Sequence, residues 1–170
     1  SIHDGVARYK VLELKTILSD GSEAVFGELS SDEFHAKLKL KTLEGDIYRT
    51  IYNELKDSKV QKRIIKKFPK QEIHRRNTGY AIDELIKSEV FTKSKDKFNL
   101  CKLLAGSEGT LAIITEITLK LDKLPPKQSI MIAAHFSSIE NCMKAVKPIM
   151  KHNLYTCEMM DKTILDCTKQ

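Results

Sequence analysis

A glycine-rich turn directly before an apolar, β-branched run is the feature that most constrains this chain. The turn covers residues 106–110 (Gly-Ser-Glu-Gly-Thr), and the run continues from 111 to 121. Glycine adopts positive φ and permits close backbone approach, and successive N–H groups in such a turn can point together at an anion. Because turns into core strands share this composition, two interpretations stay open: a structural turn before a buried strand, and a loop that binds a phosphate or a cofactor.

Composition places the chain among soluble globular proteins, since 41% of its 170 residues are hydrophobic and 31% are charged. This length allows one domain with a core, or one domain and part of another. No segment approaches the roughly 18 apolar residues that span a bilayer, and the N-terminus lacks the pattern of a signal peptide. The chain has no starting Met and begins on a predicted turn, so we expect a piece of a longer protein.

The formal net charge of +6 and a lysine-rich segment at 56–70 raise the question of an anionic partner. The basic residues of this segment alternate with apolar ones at helical spacing, and no aromatic platform accompanies them. We therefore favour a solvated helix face and expect no nucleic acid. A non-catalytic module that binds an acidic partner or nucleic acid through this helix stays open as the alternative function.

The cysteines form no C-x-x-C pair and the histidines do not cluster near them in sequence, so we predict no metal site. Their sparse distribution is typical of reduced core thiols in a cytoplasmic protein, and peripheral attachment to a membrane is left open. The positions concerned are Cys101, Cys142, Cys157 and Cys167.

Two local signals define the first part of the chain. Asp20-Gly21 lies between two β-leaning apolar segments and predicts a hairpin over 10–26. Ser30 and Glu33 have the spacing of a capping box, which predicts a helix to about residue 40.

Further signals alternate between helix and strand, so the predicted fold class is α+β. Apolar residues at helical spacing predict one helix over 42–68, or two helices broken near Asp57-Ser58, before Pro69 ends the stretch. The later predictions are a short helix at 82–86, a strand at 111–121, a break at Pro125-Pro126, strands at 129–136 and 155–160, and helices at 138–152 and from 162.

Three further segments hold residues that suit binding. Residues 74–80 (His-Arg-Arg-Asn-Thr-Gly-Tyr) contain adjacent guanidinium groups, which recognise phosphate or carboxylate, although the sequence alone favours an exposed basic loop. Arg8 and Tyr9 could line a site. His135 lies in a predicted apolar strand, where a core or edge histidine is the favoured interpretation.

Several of these segments resemble, in order and spacing, the FAD-linked oxidases and dehydrogenases of the D-lactate dehydrogenase and glycolate oxidase type. They are Arg8-Tyr9 before an Asp-Gly turn, residues 77–80, the Gly-Ser-Glu-Gly-Thr-Leu run from 106, and Glu158-Met159-Met160-Asp161. The resemblance implies that residues 1–123 are the second subdomain of an FAD-binding domain of the PCMH or vanillyl-alcohol oxidase type, with a helical insert at 31–68. Residues 127–170 would begin a ferredoxin-like cap domain.

The resemblance also implies a site and a reaction. The flavin would accept a hydride from a 2-hydroxy acid similar to D-lactate or glycolate and pass electrons to an acceptor. No catalytic residue is identified, and an iron–sulfur cluster elsewhere in a longer protein is compatible with the subgroup. With half of the cofactor site missing, the chain alone is expected to be inactive. The residues implied to bind FAD are Asn77, Thr78, Gly79, Tyr80, Gly106, Ser107, Glu108, Gly109, Thr110, Ile113 and Ile114. Ala112 stands where many members have Gly.

Overall fold

The computed structural model describes residues 5–70, 72–73 and 79–168. Contacts divide the chain into two units, one of which is Val6–Leu121 and the other of which includes residues 122–168. Helices and strands both occur, which confirms the α+β class. No helix among the described residues is long and apolar enough to cross a membrane.

A three-stranded antiparallel sheet organises the unit Val6–Leu121. Its strands are β1 (Val11–Ile17), β2 (Glu23–Phe26) and β5 (Ile113–Leu119), in the order β2-β1-β5. β1 and β2 form the predicted hairpin, whose turn holds Gly21 at φ +81°. The Asp20 carboxylate accepts hydrogen bonds from the backbone N–H and the hydroxyl of Ser22 at 2.9 and 2.6 Å.

The predicted capping box is present at the first helix, α1 (Ser31–Lys37). Ser30 accepts a hydrogen bond from the Glu33 backbone N–H, and the Glu33 carboxylate accepts from the Ser30 backbone N–H at 2.8 Å. These exchanges satisfy donors that a helix start otherwise leaves unpaired, which explains why the helix begins here.

The stretch from 42 to 68 forms two helices, α2 (Leu43–Leu55) and α3 (Ser58–Lys67). This confirms the predicted alternative of two helices broken near Asp57-Ser58. Asp57 separates them because its side chain accepts from the Lys59 N–H and caps α3. Four shorter elements belong to the same unit. Two are the paired strands β3 (Glu28–Leu29) and β4 (Phe98–Asn99), and two are the short helices α4 (Ile82–Leu85) and α5 (Cys101–Leu104).

The core lies where the inner faces of β1 and β2 meet the helices. Phe34 and Tyr48 are fully buried, and their rings pack edge to face with centroids 5.5 Å apart. Phe98 adds a third buried ring 4.6 Å from Phe34. The other buried members come from every layer of the unit: Leu14, Leu18, Phe26, Leu55, Ile64, Leu85, Leu104 and Ala112.

The strand predicted after the glycine turn exists, but the prediction that it is buried was wrong. All seven residues of β5 are exposed, and Ile117 is 54% exposed although its pairing partner Leu14 is only 1% exposed. β5 is an edge strand, and the core helices cover β1 and β2 rather than β5. A bulge also breaks the expected alternation at Thr115, because Lys15 pairs with Glu116 whereas its neighbour on β1 pairs with Ile114.

The second unit contains the predicted helices but not the predicted strands. α6 (Ile139–Ile149) is capped by Ser138, and α7 (Lys162–Cys167) is capped by Asp161. Residues 129–136 and 155–160 form no strand, and Ile130–Ile132 is at least 85% exposed. A strand requires a partner for its backbone groups, and nothing in residues 122–168 pairs with these segments. The ferredoxin-like cap therefore remains a prediction.

Candidate functional site

The glycine loop, residues 105–110, follows α5 as a tight turn held by its own backbone. The Ser107 N–H donates to the Leu104 carbonyl at 3.0 Å, and the Thr110 N–H donates to the Ser107 carbonyl at 3.1 Å. The Thr110 hydroxyl donates to that same Ser107 carbonyl at 2.6 Å. The turn thus has one defined conformation rather than an open loop.

Three residues of the glycine loop occupy the left-handed region: Gly106 at φ +94°, Glu108 at +54° and Gly109 at +74°. All three are exposed. Within the part of the chain that the structure describes, none of their backbone N–H groups has an acceptor. Exposed amides with no protein partner can bind the acceptor atoms of a ligand.

Arg8 supports the loop through the carbonyl of Ala105. Its guanidinium donates two hydrogen bonds to that oxygen, from Nε at 3.2 Å and from Nη2 at 3.1 Å. The packing is close, since a Cβ added at Gly106 would lie 3.0 Å from Arg8 Nη2. The sequence predicted that Arg8 could line a site but did not indicate that it supports the loop. The one signal for this role was the position of Arg8 in the opening segment that resembles the family.

Tyr80 is tied to the far end of the loop. Its hydroxyl lies 2.7 Å from the Thr110 hydroxyl, so the two segments predicted to share a site are in contact. Gly79, directly before Tyr80, has φ +76° and is exposed. Asn77 and Thr78 lie outside the described residues, as do the preceding histidine and arginines of segment 74–80.

The remaining predicted contacts differ in accessibility. Ser107 is 3% exposed, so its backbone carbonyl, which binds Thr110, is its clearest contribution to the turn. Ile113 and Ile114 begin β5 and are 64% and 38% exposed. The structure brings Gly106–Thr110, Tyr80 and the start of β5 into one region, and flavin contact by these residues remains a prediction.

The charges around the loop have opposite signs. The exposed Glu108 carboxylate lies within the loop, while the Arg8 guanidinium lies against Gly106 and Ala105. A carboxylate disfavours a bare phosphate beside it, so this arrangement suits a ligand with hydroxyl or ring acceptors better than a free phosphate. Among the described residues, no group of three or more His, Cys, Asp or Glu side chains is placed so that it could hold a metal ion.

Cys101, in the helix before the loop, has no reactive character. It is fully buried, and its Sγ donates to the Phe26 carbonyl at 3.0 Å. Burial raises the pKa of the Cys101 thiol to about 12, so it stays protonated at neutral pH. It is a core thiol as predicted, whereas Cys157 and Cys167 are exposed and that prediction was wrong for them.

Two other candidates have plain structural interpretations. The cationic side chains of α3 are exposed while Ile64 is buried, as expected of a solvated helix face. His135 is exposed and lies outside any strand, so the prediction of a core or edge histidine was wrong.

Comparison with known proteins gives three informative relatives. The chain is 33% identical over 107 residues to a D-2-hydroxyglutarate dehydrogenase from Haemophilus influenzae, a match that covers 63% of this chain and 10% of that protein. It is 35% identical over 82 residues to a D-lactate dehydrogenase from Anaerostipes hadrus, covering 46% and 17%. It is 32% identical over 103 residues to the glycolate oxidase subunit GlcD from Escherichia coli K12, covering 52% and 20%.

No family model and no solved structure matches the chain. The chain spans only 10–20% of the length of these relatives, each of which is named as a dehydrogenase or as an oxidase subunit. Over the matched residues, the chain is similar to proteins of the D-lactate dehydrogenase and glycolate oxidase type, as the resemblance in its sequence predicted.

Proposed function

We propose that this chain is part of an FAD-dependent enzyme that oxidises a 2-hydroxy acid similar to D-lactate or glycolate. The observation that carries the proposal is the glycine loop, whose three left-handed residues present backbone N–H groups without a protein acceptor in the described chain. The relatives support the chemistry, because D-2-hydroxyglutarate, D-lactate and glycolate are all 2-hydroxy acids.

In this proposal the chain binds and orients the cofactor, and the flavin, when bound, supplies the hydride-accepting chemistry. The amides of Gly106, Glu108 and Gly109 would donate to acceptor atoms of FAD. Thr110 and Tyr80 would keep the loop closed, and Arg8 would fix its beginning. The missing Cβ at each glycine fits close approach by a flat cofactor.

The domain assignment is part of the same proposal. Residues 1–123 would be the second subdomain of a PCMH-type FAD-binding domain, with residues 31–68 as a helical insert, and residues 127–170 would begin the cap. Because the chain corresponds to only 10–20% of the relatives' length, we expect no turnover from these 170 residues alone.

The test is the visible absorption spectrum of the protein that the gene encodes, purified with any sequence that flanks this chain. D-lactate, glycolate and D-2-hydroxyglutarate are then added without air. A flavin spectrum that one acid bleaches would support the proposal. A colourless protein that fails to take up FAD would overturn it, and a flavin spectrum that no acid bleaches would reject the substrate class.

A matched pair of variants connects the spectrum to the loop. Thr110→Val removes the hydroxyl that contacts Tyr80 and Ser107, whereas Thr92→Val removes an exposed hydroxyl that binds only the carbonyls of its own turn and a neighbouring N–H. The proposal requires weaker FAD retention in the first variant and normal retention in the second.

A further inference from the structure

A groove on the helical insert is separate from the glycine loop and has an unusual combination of lining residues. It lies between α2 and α3, with α4 and α5 at its base, and encloses about 560 Å³. This volume is within the usual range of small-molecule sites. Its apolar lining comes from Ile51, Leu55, Ile64, Ile82, Leu85 and Leu103.

Two cations also line the groove. Arg63 and Lys67 are one helical turn apart on α3 and flank the apolar position Ile64. Both side chains are exposed, so they line the solvent-facing edge of the groove next to the buried Ile64. Neither side chain makes a hydrogen bond or an ion pair with any residue that the structure describes.

The opposite side of the groove carries one acid. Glu54, on α2, also lines it and has no partner among residues 5–70, 72–73 and 79–168. The negative charge of Glu54 disfavours a ligand that carries two negative charges. A ligand with one negative charge can place it on the α3 side of the groove, in contact with Arg63 and Lys67.

From this arrangement we infer a binding site for a long-chain carboxylate, with the aliphatic chain on the apolar base and the carboxylate on Arg63 and Lys67. The charge complementarity is specific, because arginine and lysine donors match a carboxylate and the surrounding apolar surface matches its chain. The site is separate from the proposed flavin contacts, since none of its lining residues is among those implied to bind FAD.

The competing structural explanation is that both side chains only cover apolar surface with their methylene groups while their charges stay in water. This explanation predicts no saturable binding of a carboxylate. The two explanations therefore differ in a directly measurable quantity.

The experiment is calorimetric titration of the protein that the gene encodes, purified with any sequence that flanks this chain. The probes are dodecanoate, kept below its micelle concentration, and dodecanol and dodecylammonium as neutral and cationic comparisons. The proposal requires saturable binding of dodecanoate, and affinity about tenfold or more lower for the other two. Methyl NMR of the unaltered protein provides a test that needs no variant, and the chemical-shift changes on adding dodecanoate should concentrate at Ile51, Ile64 and Ile82.

Matched variants of α3 separate the groove from general charge attraction. Arg63→Gln with Lys67→Gln should weaken dodecanoate binding about tenfold. Lys62→Gln with Lys66→Gln removes equal charge from the adjacent face of the helix, outside the groove lining, and should change binding less than about twofold. Glu54→Gln should strengthen binding.

Absence of saturable binding, equal weakening in both double variants, or methyl shifts spread outside the groove would each overturn the proposal. None of these results depends on FAD, so the proposed oxidation chemistry is tested separately.

Discussion

The glycine loop allows a sharp test, because Gly106 and Gly109 have the same backbone requirement in different surroundings. Both have positive φ, at +94° and +74°. A Cβ at Gly109 would meet no atom within 4 Å, whereas a Cβ at Gly106 would lie 3.0 Å from Arg8 Nη2. Substituting each by alanine therefore separates backbone strain from displacement of Arg8.

The magnitudes follow from these two contributions. An alanine in the left-handed region costs about 1–2 kcal/mol, partly offset by the smaller entropy of its unfolded chain. We expect Gly109→Ala to lower the free energy of unfolding by about 1 kcal/mol. Gly106→Ala should lower it by about 2–3 kcal/mol, because it also disturbs the two charge-assisted hydrogen bonds of Arg8 to Ala105.

Urea denaturation of both variants provides the measurement, and a double-mutant cycle with Arg8→Ala identifies the cause. In the Arg8→Ala background the guanidinium is absent, so Gly106→Ala should cost no more than Gly109→Ala. Equal destabilisation of the two glycine variants in the normal background would refute the reasoning. So would an excess cost at Gly106 that persists without Arg8.

Three other predictions concern the fold around the site. Gly45→Ala should lower the free energy of unfolding by about 1 kcal/mol or more despite the better helix propensity of alanine, because its Cβ would overlap the Leu40 carbonyl. Cys101 should resist thiol labelling at pH 8 and react only after unfolding, since its pKa is raised to about 12. Hydrogen bonds from the Ser30 N–H and hydroxyl lower the pKa of Glu33, so its stabilising contribution should be present above its unfolded pKa and lost as the pH falls through its folded pKa.

Each of the three has an internal comparison. For Gly45, a rise in the urea midpoint would show that α2 tolerates a side chain at this position. For the thiol, Cys157 and Cys167 are exposed and serve as reactive references in the same chain. For the cap, the free energy of unfolding of Glu33→Gln should differ from that of the unaltered chain at neutral pH, and the two values should converge in acid. A difference that stays constant with pH would contradict the assigned cause.

The elements that sequence predicts well are those with local physical causes. Asp20-Gly21 determines the hairpin turn, and the Ser30–Glu33 box determines where α1 begins, because each acts through bonds within a few residues. Asp57 likewise separates α2 from α3 by capping the second helix. None of these interactions depends on what the rest of the chain covers.

Burial and register were harder to predict because they depend on distant partners. The apolar content of β5 suggests a core strand, but the core helices cover β1 and β2 and leave Ile113 of β5 64% exposed. The bulge at Thr115 is equally invisible in sequence, since it reflects pairing with β1. Residues 129–136 have strand-like composition, yet no described segment pairs with them.

The candidate site shows the same division between local and distant causes. Residues 106–110 were identified from their own composition, which encodes the turn directly. The contact between Arg8 and Ala105 joins residues 97 positions apart. Arg8 precedes β1 and Ala105 precedes β5. Strand pairing alone would place these two residues at opposite ends of β1, because the start of β5 pairs with Ile17 and not with Val11. Only the path of the chain through α5 brings them together.

The support of the glycine loop bears on how it would bind a cofactor. Arg8 holds its beginning, Tyr80 contacts its end through Thr110, and its amides at Gly106, Glu108 and Gly109 have no acceptor in the described chain. A loop already held in one conformation loses little entropy when a ligand arrives, so its donors contribute more fully to affinity. The Arg8 guanidinium donates to the Ala105 carbonyl, so it stabilises the loop and is not a separate contact to the ligand. Weakening either support should therefore lower cofactor affinity without changing which groups of the loop are available for contact.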